Sequence, residues 1–237
     1  DYSPHSRFNI TTLLEDLAEI EGEVICVFNS PDVFDHLKSH PRIDKYCFNK
    51  LNAGVGRSWN MGIDLAEGDA VFVMNADLKL GPTAIVELEA ALFSLHNAVI
   101  VGPHGSLVDF QNMQVRHYYQ KGNFDKPVQT HDVSGFFFCL HMERFLSNGL
   151  RFDPRYSPCF MEEWDFALQV VRAQLACYAV PVTDFEHDWG GSENHQNPEI
   201  VYFGRSLRRN DILLANRSRF LKKWFPELQT VSARIAV

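Results

Sequence analysis

The sequence lacks paired cysteines and long hydrophobic runs. Its five cysteines are scattered among 237 residues without a CxxC pair, and most lie in apolar runs such as GEVICVFN and GFFFCLH. Such cysteines are typical of buried thiols in a reducing compartment, so we expect a cytoplasmic protein without a zinc or disulfide site. No stretch approaches the roughly 18 apolar residues of a membrane-spanning helix, and no signal peptide opens the chain. We therefore expect a soluble domain. This expectation is compatible with a longer chain that carries a membrane anchor.

Positive charge is also scarce. The chain has 22 Lys and Arg against 30 Asp and Glu, which gives a formal net charge of −8. Phosphate binding along nucleic acid needs a basic face, so we expect no nucleic-acid partner. The GxGxxG, Walker and GxSxG motifs are missing as well. Their absence argues against a dinucleotide enzyme, a P-loop NTPase and a Ser/His/Asp hydrolase.

The first half of the chain alternates helix and strand patterns. The predicted elements are helix 10–21, strand 23–29, helix 31–39, strand 43–49, helix 56–68, strand 70–77, helix 81–97 and strand 98–105. Strands that are apolar on both faces and alternate with helices indicate a parallel sheet covered on both sides. We therefore predict a Rossmann-like first lobe over about 1–103.

The second half has a different pattern. Residues 102–135 carry turn signals with little periodicity, which favours antiparallel or irregular structure. The further predictions are a strand and helix in 135–149, helix 162–174, strand 176–187, and one or two long helices in 198–225. No repeat or linker interrupts the chain, so we predict one domain with a second lobe over about 104–237.

Polar side chains end the apolar strand 70–77. Asn75 and Asp77 lie two residues apart, so on an extended segment both point to the same side. Ligands of open α/β sheets bind at the carboxyl ends of the strands, and a hard divalent cation takes one or two carboxylates plus substrate phosphates. A metal and phosphate site is one interpretation. An Asx turn that ends the strand is the other.

A glycine-containing segment precedes this strand. Gly54 and Gly56 permit close backbone approach at a helix start, where N–H groups favour an anion. Arg57 follows in the first turn and can add a bidentate phosphate contact. These features predict an anion site at the same end of the sheet.

Three carboxylates mark the start of helix 162–174. Glu162, Glu163 and Asp165 fit the helix dipole and can cap the first turn, which accounts for Asp165. Adjacent helical positions diverge, so Glu162 and Glu163 cannot face the same substrate atom. One of them is a candidate general base.

One histidine lies where a strand meets a Gly/Ser/Asn loop. His187 ends the apolar segment 176–187, and the loop after it suits a mobile lid. With Asp77 it would form a mixed oxygen and nitrogen site that suits manganese better than calcium. A structural histidine is the alternative.

The order of these motifs resembles the family-two glycosyltransferases of the GT-A fold. The resemblance covers about 22–225 and rests on motifs at 52–69, 71–82, 132–145, 151–169, 180–192 and 209–225. It implies a mostly parallel sheet flanked by helices, with a smaller mixed or antiparallel acceptor-side lobe and C-terminal helices. It also implies an inverting enzyme that uses Mn²⁺ or Mg²⁺ and a nucleotide-diphosphate sugar, as in polysaccharide biosynthesis.

The resemblance assigns roles to the acidic and histidine positions. Asp77 would bind the metal, with Asn75 as a neutral substitute for the family's first Asp. His187 would be a further metal contact. Glu163 would be the catalytic base and Glu162 the second candidate, although the family more often has Asp at the position of Glu163.

Other positions follow from the same resemblance. Arg57 and Asn60 would line the nucleotide or diphosphate site, and Gly135 would lie where the chain passes the donor sugar and acceptor. Phe28 stands where an acidic residue often recognises the base, with Asn29 beside it as a candidate donor contact. The nucleobase of the donor is therefore left open.

The proposed partners are a nucleotide-sugar donor and a glycan or lipid-linked saccharide acceptor. Trp164 and Trp189 could stack on a sugar or serve the core. The C-terminal segment could touch an anionic membrane or be a solvated face. Its basic residues are Arg205, Arg208, Arg209, Arg217, Arg219, Lys222 and Lys223. A nucleotidyltransferase and a non-catalytic nucleotide- or glycan-binding module are the alternative functions.

Overall fold

A computed structural model describes residues 7–188 and 198–231. The helices are α1 Ile10–Asp16, α2 Pro31–Leu37, α3 Val55–Leu65, α4 Pro82–Ser94, α5 Met142–Ser147, α6 Glu162–Arg172 and α7 Arg209–Val231, with a 3-10 helix at Pro154–Tyr156. The strands of the first lobe are β1 Ile25–Phe28, β2 Lys45–Phe48, β3 Ala70–Met74, β4 Leu78–Leu80 and β5 Ala98–Gly102. The later strands are β6 Gly105–Asp109, β7 Gln114–Tyr119, β8 Val128–Thr130, β9 Asp132–Val133, β10 Phe137–His141, β11 Ala176–Ala179, β12 Phe185–His187, β13 Glu199–Tyr202 and β14 Arg205–Arg208.

The predicted alternation of the first lobe is confirmed element by element. β1 and β2 pair in parallel, with Ile25 opposite Lys45, and α3 packs against both strands. The elements are shorter than the patterns predicted, and α1 ends at Asp16 instead of continuing to residue 21. The prediction for α1 was too long because the helical spacing of apolar residues continues in the sequence beyond Asp16, where the helix ends.

The central sheet is mixed rather than mostly parallel. Its strand order is β3-β10-β5-β11-β8. β10 runs antiparallel to both β3 and β5, whereas β11 is parallel to β5. A fully buried strand carries the same apolar run in either direction, so the sequence did not reveal that β10 inserts between two strands of the first lobe.

The core lies on both faces of this sheet. Every residue of β5 and β10 is buried. On one face, Leu88 and Leu92 of α4 are fully buried against it, and on the other Phe166 of α6 packs with Phe138. These layers hold the strand ends of the candidate site in fixed positions.

The second lobe contains a small antiparallel sheet, as the irregular segment 102–135 favoured. Its strand order is β7-β6-β9. β9 pairs with β6 so that Asp132 lies opposite Ser106. This sheet covers one side of α6.

Two predictions for the last third of the chain were wrong. Segment 176–187 is not one strand: β11 ends at Ala179, and β12 pairs instead with β4. Segment 198–225 is not all helix, because β13 and β14 form a hairpin before α7 begins at Arg209. Arg205 and Arg208 therefore lie on a strand. No helix in the described ranges is long and apolar enough to cross a membrane.

Candidate functional site

The pairing of β12 with β4 brings Asp77 and His187 together. His187 lies opposite Leu78 in the register, and the N–H of Asp188 donates to the carbonyl of Asp77 at 3.1 Å. Nε2 of His187 is 3.2 Å from Oδ1 of Asp77, and the two side chains are 7% and 15% exposed. The sequence named both residues, and the fold makes them neighbours.

The imidazole of His187 is held by an aromatic stack. Its ring lies 4.4 Å from that of Phe136 at an interplanar angle of 10°. His104 stands edge-on to the same Phe136 ring at 5.0 Å. Burial, and then the electrostatic interaction with His187 and Lys121, lowers the pKa of His104 to about 4, so His104 is neutral at physiological pH.

Asn75 has a different environment from Asp77. Its side chain is exposed, and its backbone N–H donates to the carbonyl of Phe136 at 2.8 Å. Its backbone thus ties the end of β3 to the segment that precedes β10. Of the two, Asp77 is largely covered, whereas the side chain of Asn75 is open to solvent.

An open cavity of about 360 Å³ lies beside His187. Its lining residues are His104, Gln120, Lys121, Phe185, Glu186 and His187. Nζ of Lys121 donates to the carbonyl of Phe185 at 2.7 Å, which fixes a positive charge at the edge of the cavity. The cavity gives a ligand room next to the pair of Asp77 and His187.

Glu163 lies at the start of α6 and faces Gly135. A Cβ atom at position 135 would come within 2.6 Å of Oε1 of Glu163 and of Cη2 of Trp59. The backbone N–H of Gly135 stabilises the charged carboxylate. A glycine is needed here because the glutamate approaches the backbone so closely.

Burial makes both glutamates weaker acids. Burial raises the pKa of Glu163 to about 7, and the charge of Asp132 contributes to this rise, while hydrogen bonds from the backbone N–H groups of Glu163 and Gly135 oppose it. Burial and the neighbouring Glu163 raise the pKa of Glu162 well above its usual value. Glu162 is 3% exposed, and its Oε2 has no hydrogen-bond partner among the described residues. Glu163 can therefore exchange a proton near neutral pH, whereas the environment of Glu162 favours its uncharged form.

Asp132 also lies at this site, although the sequence analysis gave it no role. It is 8% exposed, and its Oδ1 accepts hydrogen bonds from the N–H and the Oγ of Ser106 at 2.8 and 2.6 Å. Burial raises its pKa to about 6. It is the first residue of the motif at 132–145, but its residue type alone did not distinguish it from other acidic positions.

Asp165 has a structural role, as expected, but not as a helix cap. It is fully buried, and its Oδ1 accepts hydrogen bonds from Nε1 of Trp224 at 2.7 Å and from the hydroxyl of Tyr156 at 3.0 Å. Nζ of Lys223 lies 2.7 Å from the same oxygen. Asp165 therefore joins α6 to α7.

Two predicted donor contacts are used by the protein itself. Asn60 is 7% exposed, and its amide donates to the carbonyl of Phe152 at 2.7 Å and accepts from its N–H at 3.3 Å. Asn29 accepts from the N–H of Ala53 at 3.1 Å and donates to Oγ of Ser58 at 2.9 Å. Both amides thus hold backbone around α3, and the donor contacts expected for Asn29 and Asn60 stay predictions.

Gly54, the residue before α3, permits close approach of the backbone at Pro158. Gly54 has a φ of 86°, and a Cβ there would lie 2.8 Å from Cα of Pro158. The N–H of Val55 donates to the carbonyl of Pro158 at 2.8 Å, so this first helical N–H is already satisfied. Arg57 is exposed and forms no hydrogen bond or ion pair with the parts of the chain that the structure describes. Its guanidinium can still take a ligand.

The metal question depends on the donor set. Within residues 7–188 and 198–231, no three His, Cys, Asp or Glu side chains gather as a metal-binding group. Asp77 and His187 supply one carboxylate and one imidazole. This set fits a Mn²⁺ or Mg²⁺ ion that takes its other ligands from a diphosphate and water. Trp189, expected either to stack on a sugar or to serve the core, lies outside the described residues.

Two solved structures are similar in fold. The crystal structure of GalNAc-T7 with UDP, GalNAc and Mn²⁺ aligns with 91% of this chain and 45% of that one, with a TM-score of 0.66 and 13% identity. The crystal structure of S. aureus TarS 1–349 aligns with 77% of this chain and 57% of that one, with a TM-score of 0.54 and 16% identity. This chain thus spans about half the length of these structures.

A search of curated protein sequences found no match. The family model described as glycosyl transferase family 2 matches residues 10–146, which is more than half of the chain. The match includes Asn75, Asp77 and Gly135 and ends before Glu163 and His187. With this match and the two similar folds, the chain belongs to glycosyl transferase family 2 and has the GT-A fold.

Proposed function

We propose that this domain transfers a sugar from a nucleotide-diphosphate donor to a hydroxyl group of a glycan or lipid-linked saccharide, with inversion at the anomeric carbon. The observation that carries the proposal is the environment of Glu163. Its carboxylate is packed against Gly135, and its pKa is raised to about 7. A general base works best when its pKa lies near the working pH.

Glu163 is the proposed base for the acceptor. It takes the proton of the attacking hydroxyl as the new bond to the anomeric carbon forms. We assign this role to Glu163 rather than to Glu162 because Glu163 packs against Gly135, whereas the burial of Glu162 favours its uncharged form. Attack on the face opposite the leaving diphosphate inverts the configuration.

Asp77 and His187 are the proposed ligands of a Mn²⁺ or Mg²⁺ ion. When bound, that ion supplies Lewis-acid stabilisation of the leaving diphosphate. The GalNAc-T7 structure, which contains UDP, GalNAc and Mn²⁺, supports this part of the proposal. Arg57 adds a positive charge for the phosphates from α3, and the exposed Asn75 adds a neutral amide.

The cellular setting is also a proposal. All five cysteines are free, which fits a cytoplasmic location. α7 exposes Leu214, Leu221 and Phe225 beside Lys222, so we keep peripheral membrane contact as part of the proposal. The basic face is smaller than the sequence suggested, because Lys223 pairs with buried Asp165. Lobes over about 1–103 and 104–237 remain the proposed division of this single domain.

A non-catalytic binding module is the second candidate. The observation in its favour is that Asn29 and Asn60 hold backbone, and that the neutral Asn75 replaces a carboxylate. Such a module would bind a nucleotide sugar without releasing its nucleotide. Its affinity for the nucleotide sugar would also not change when Glu163 is substituted.

A thermal-shift panel tests donor and metal together. UDP-, GDP-, dTDP- and CMP-sugars are added with and without Mn²⁺ to the wild type and to Asp77→Ala. A ligand of the native state raises the melting temperature by mass action. We expect a Mn²⁺-dependent rise with one nucleotide that Asp77→Ala loses. Asp125→Ala, which removes an exposed carboxylate, should keep it, and a wild type that responds to no donor would contradict the proposal.

A further inference from the structure

Asp132 is fixed in place by the small sheet of the second lobe. β9 pairs with β6, and Ser106 donates both its N–H and its hydroxyl to Oδ1 of Asp132. The side chain of Trp164 also stabilises the charged carboxylate. Trp164 follows Glu163 in α6, so the same carboxylate is linked to the first turn of that helix.

The charge of Asp132 faces Glu163 across the contact between β9 and α6. The other groups that interact with Glu163 are the carboxyl of Glu162 on α6, the phenol of Tyr118 on β7, the thiol of Cys159 and the backbone N–H of Gly135. Burial raises the pKa of Glu162, of Tyr118 and of Cys159, which favours the uncharged form of each. The pKa of Asp132 is raised only to about 6, so Asp132 is the member of this set that is mostly ionised at pH 7.

We propose that Asp132 is a positioning residue that makes Glu163 a stronger proton acceptor, through a negative charge that Ser106 holds in place. This inference deepens the proposed function, because it rests on Glu163 as the base. While Glu163 is ionised, the two carboxylates repel each other. When Glu163 takes the acceptor proton, that repulsion disappears, so the charge of Asp132 favours the transfer.

The arrangement needs the two hydrogen bonds from Ser106. Burial alone would protonate Asp132, and hydrogen bonds to the charged form oppose this effect. Asp132 keeps its charge at a pH at which Glu163 can still accept a proton. Because Asp132 and Glu163 interact, the two observed titration steps are properties of the pair rather than of either residue alone.

The test measures the titration of Glu163 directly and needs no donor or acceptor. Protein with ¹³C at the glutamate carboxyl is titrated by NMR, and Glu163→Gln identifies the signal. In the wild type we expect a midpoint near the pKa of about 7. In Asp132→Asn the midpoint should fall by about half a pH unit or more, since a like charge is gone.

Two further variants keep the test decisive. Asp109→Asn makes the same change on β6 beside Arg116 and should leave the midpoint unchanged. Ser106→Ala keeps the carboxylate but removes one hydrogen bond, so it should lower the midpoint by less than Asp132→Asn does. If Asp132→Asn fails to fold, Ser106→Ala still tests the role of Asp132.

The outcomes separate this inference from the proposed function. An unchanged Glu163 midpoint in both Asp132→Asn and Ser106→Ala overturns the role of Asp132, even if the wild type transfers sugar. A lowered midpoint in a protein that turns over no donor supports the charge effect and contradicts the transferase. With an active donor, the acid limb of the kcat/KM profile should move to lower pH in Asp132→Asn.

Discussion

Nε2 of His187 lies 3.2 Å from Oδ1 of Asp77, at the junction of β12 and β4. The two strands are more than 100 residues apart in the sequence, and their pairing brings the two candidate metal ligands together. The stack of His187 on Phe136 fixes the ring plane. Asn75 is tied to the same Phe136 through its backbone.

Removal of either member of this pair should weaken metal binding. We expect His187→Ala and Asp77→Ala each to weaken Mn²⁺ by at least about tenfold, because each deletes a direct ligand. Electron paramagnetic resonance of free Mn²⁺ measures the affinity without any donor. His117→Ala, at an exposed position on β7, is the matched control and should bind Mn²⁺ as the wild type does. Equal affinities in all of these proteins would contradict the assignment.

Gly135→Ala should damage the site and the fold together. The new Cβ would lie 2.6 Å from both Glu163 and Trp59, closer than real contacts allow. Overpacking of this kind costs about 1–3 kcal/mol of unfolding free energy. Urea unfolding measures the loss, and donor turnover should fall with it. Gly62→Ala meets only Val27 at 3.5 Å and should be neutral or stabilising, as expected for a helical position.

Glu162→Gln should stabilise the protein at alkaline pH. The folded state raises the pKa of Glu162, so the folded protein holds this proton more tightly than the unfolded chain. The stabilising effect of that proton is complete below the unfolded pKa of about 4.5 and is lost as pH rises through the folded pKa. A glutamine at this position cannot ionise, so the variant does not lose unfolding free energy in this way as the pH rises.

We therefore expect Glu162→Gln to match the wild type near pH 4 and to exceed its unfolding free energy at pH 8 by on the order of 1 kcal/mol. Chemical unfolding at both pH values measures the difference. Glu87→Gln, on the exposed side of α4, should show no such gain. A constant difference at both pH values would mean that Glu162 is not buried as an acid.

The sequence predicted the parts of the fold that local pattern decides. Alternating helices and apolar strands gave the first lobe, and polar residues at the ends of strands named Asp77 and His187. The direction of β10 could not be predicted, because a strand buried on both faces has no pattern that depends on direction. The hairpin of β13 and β14 was missed, because its short strands carry the charges that a helix surface also carries.

Residue type indicated candidate residues for the site but not their surroundings. Carboxylates at a helix start led to Glu162 and Glu163, and the family resemblance chose Glu163 as the candidate base. The contact of Asn60 with Phe152 could not be predicted, because the two residues are distant in sequence. The surroundings of Asp132 could not be predicted for the same reason, since only the pairing of β9 with β6 gives its carboxylate the donors of Ser106.

The release of nucleoside diphosphate from the active donor, measured against pH for the wild type, Glu163→Gln and Glu163→Asp, tests the central claim most directly. Wild-type kcat/KM should rise through about pH 7 as Glu163 ionises. Glu163→Gln should lose about 10²–10⁴-fold in kcat while it still binds the donor, because a general base contributes that much. Glu163→Asp should recover part of the loss. Undiminished turnover by Glu163→Gln would contradict the account of this site.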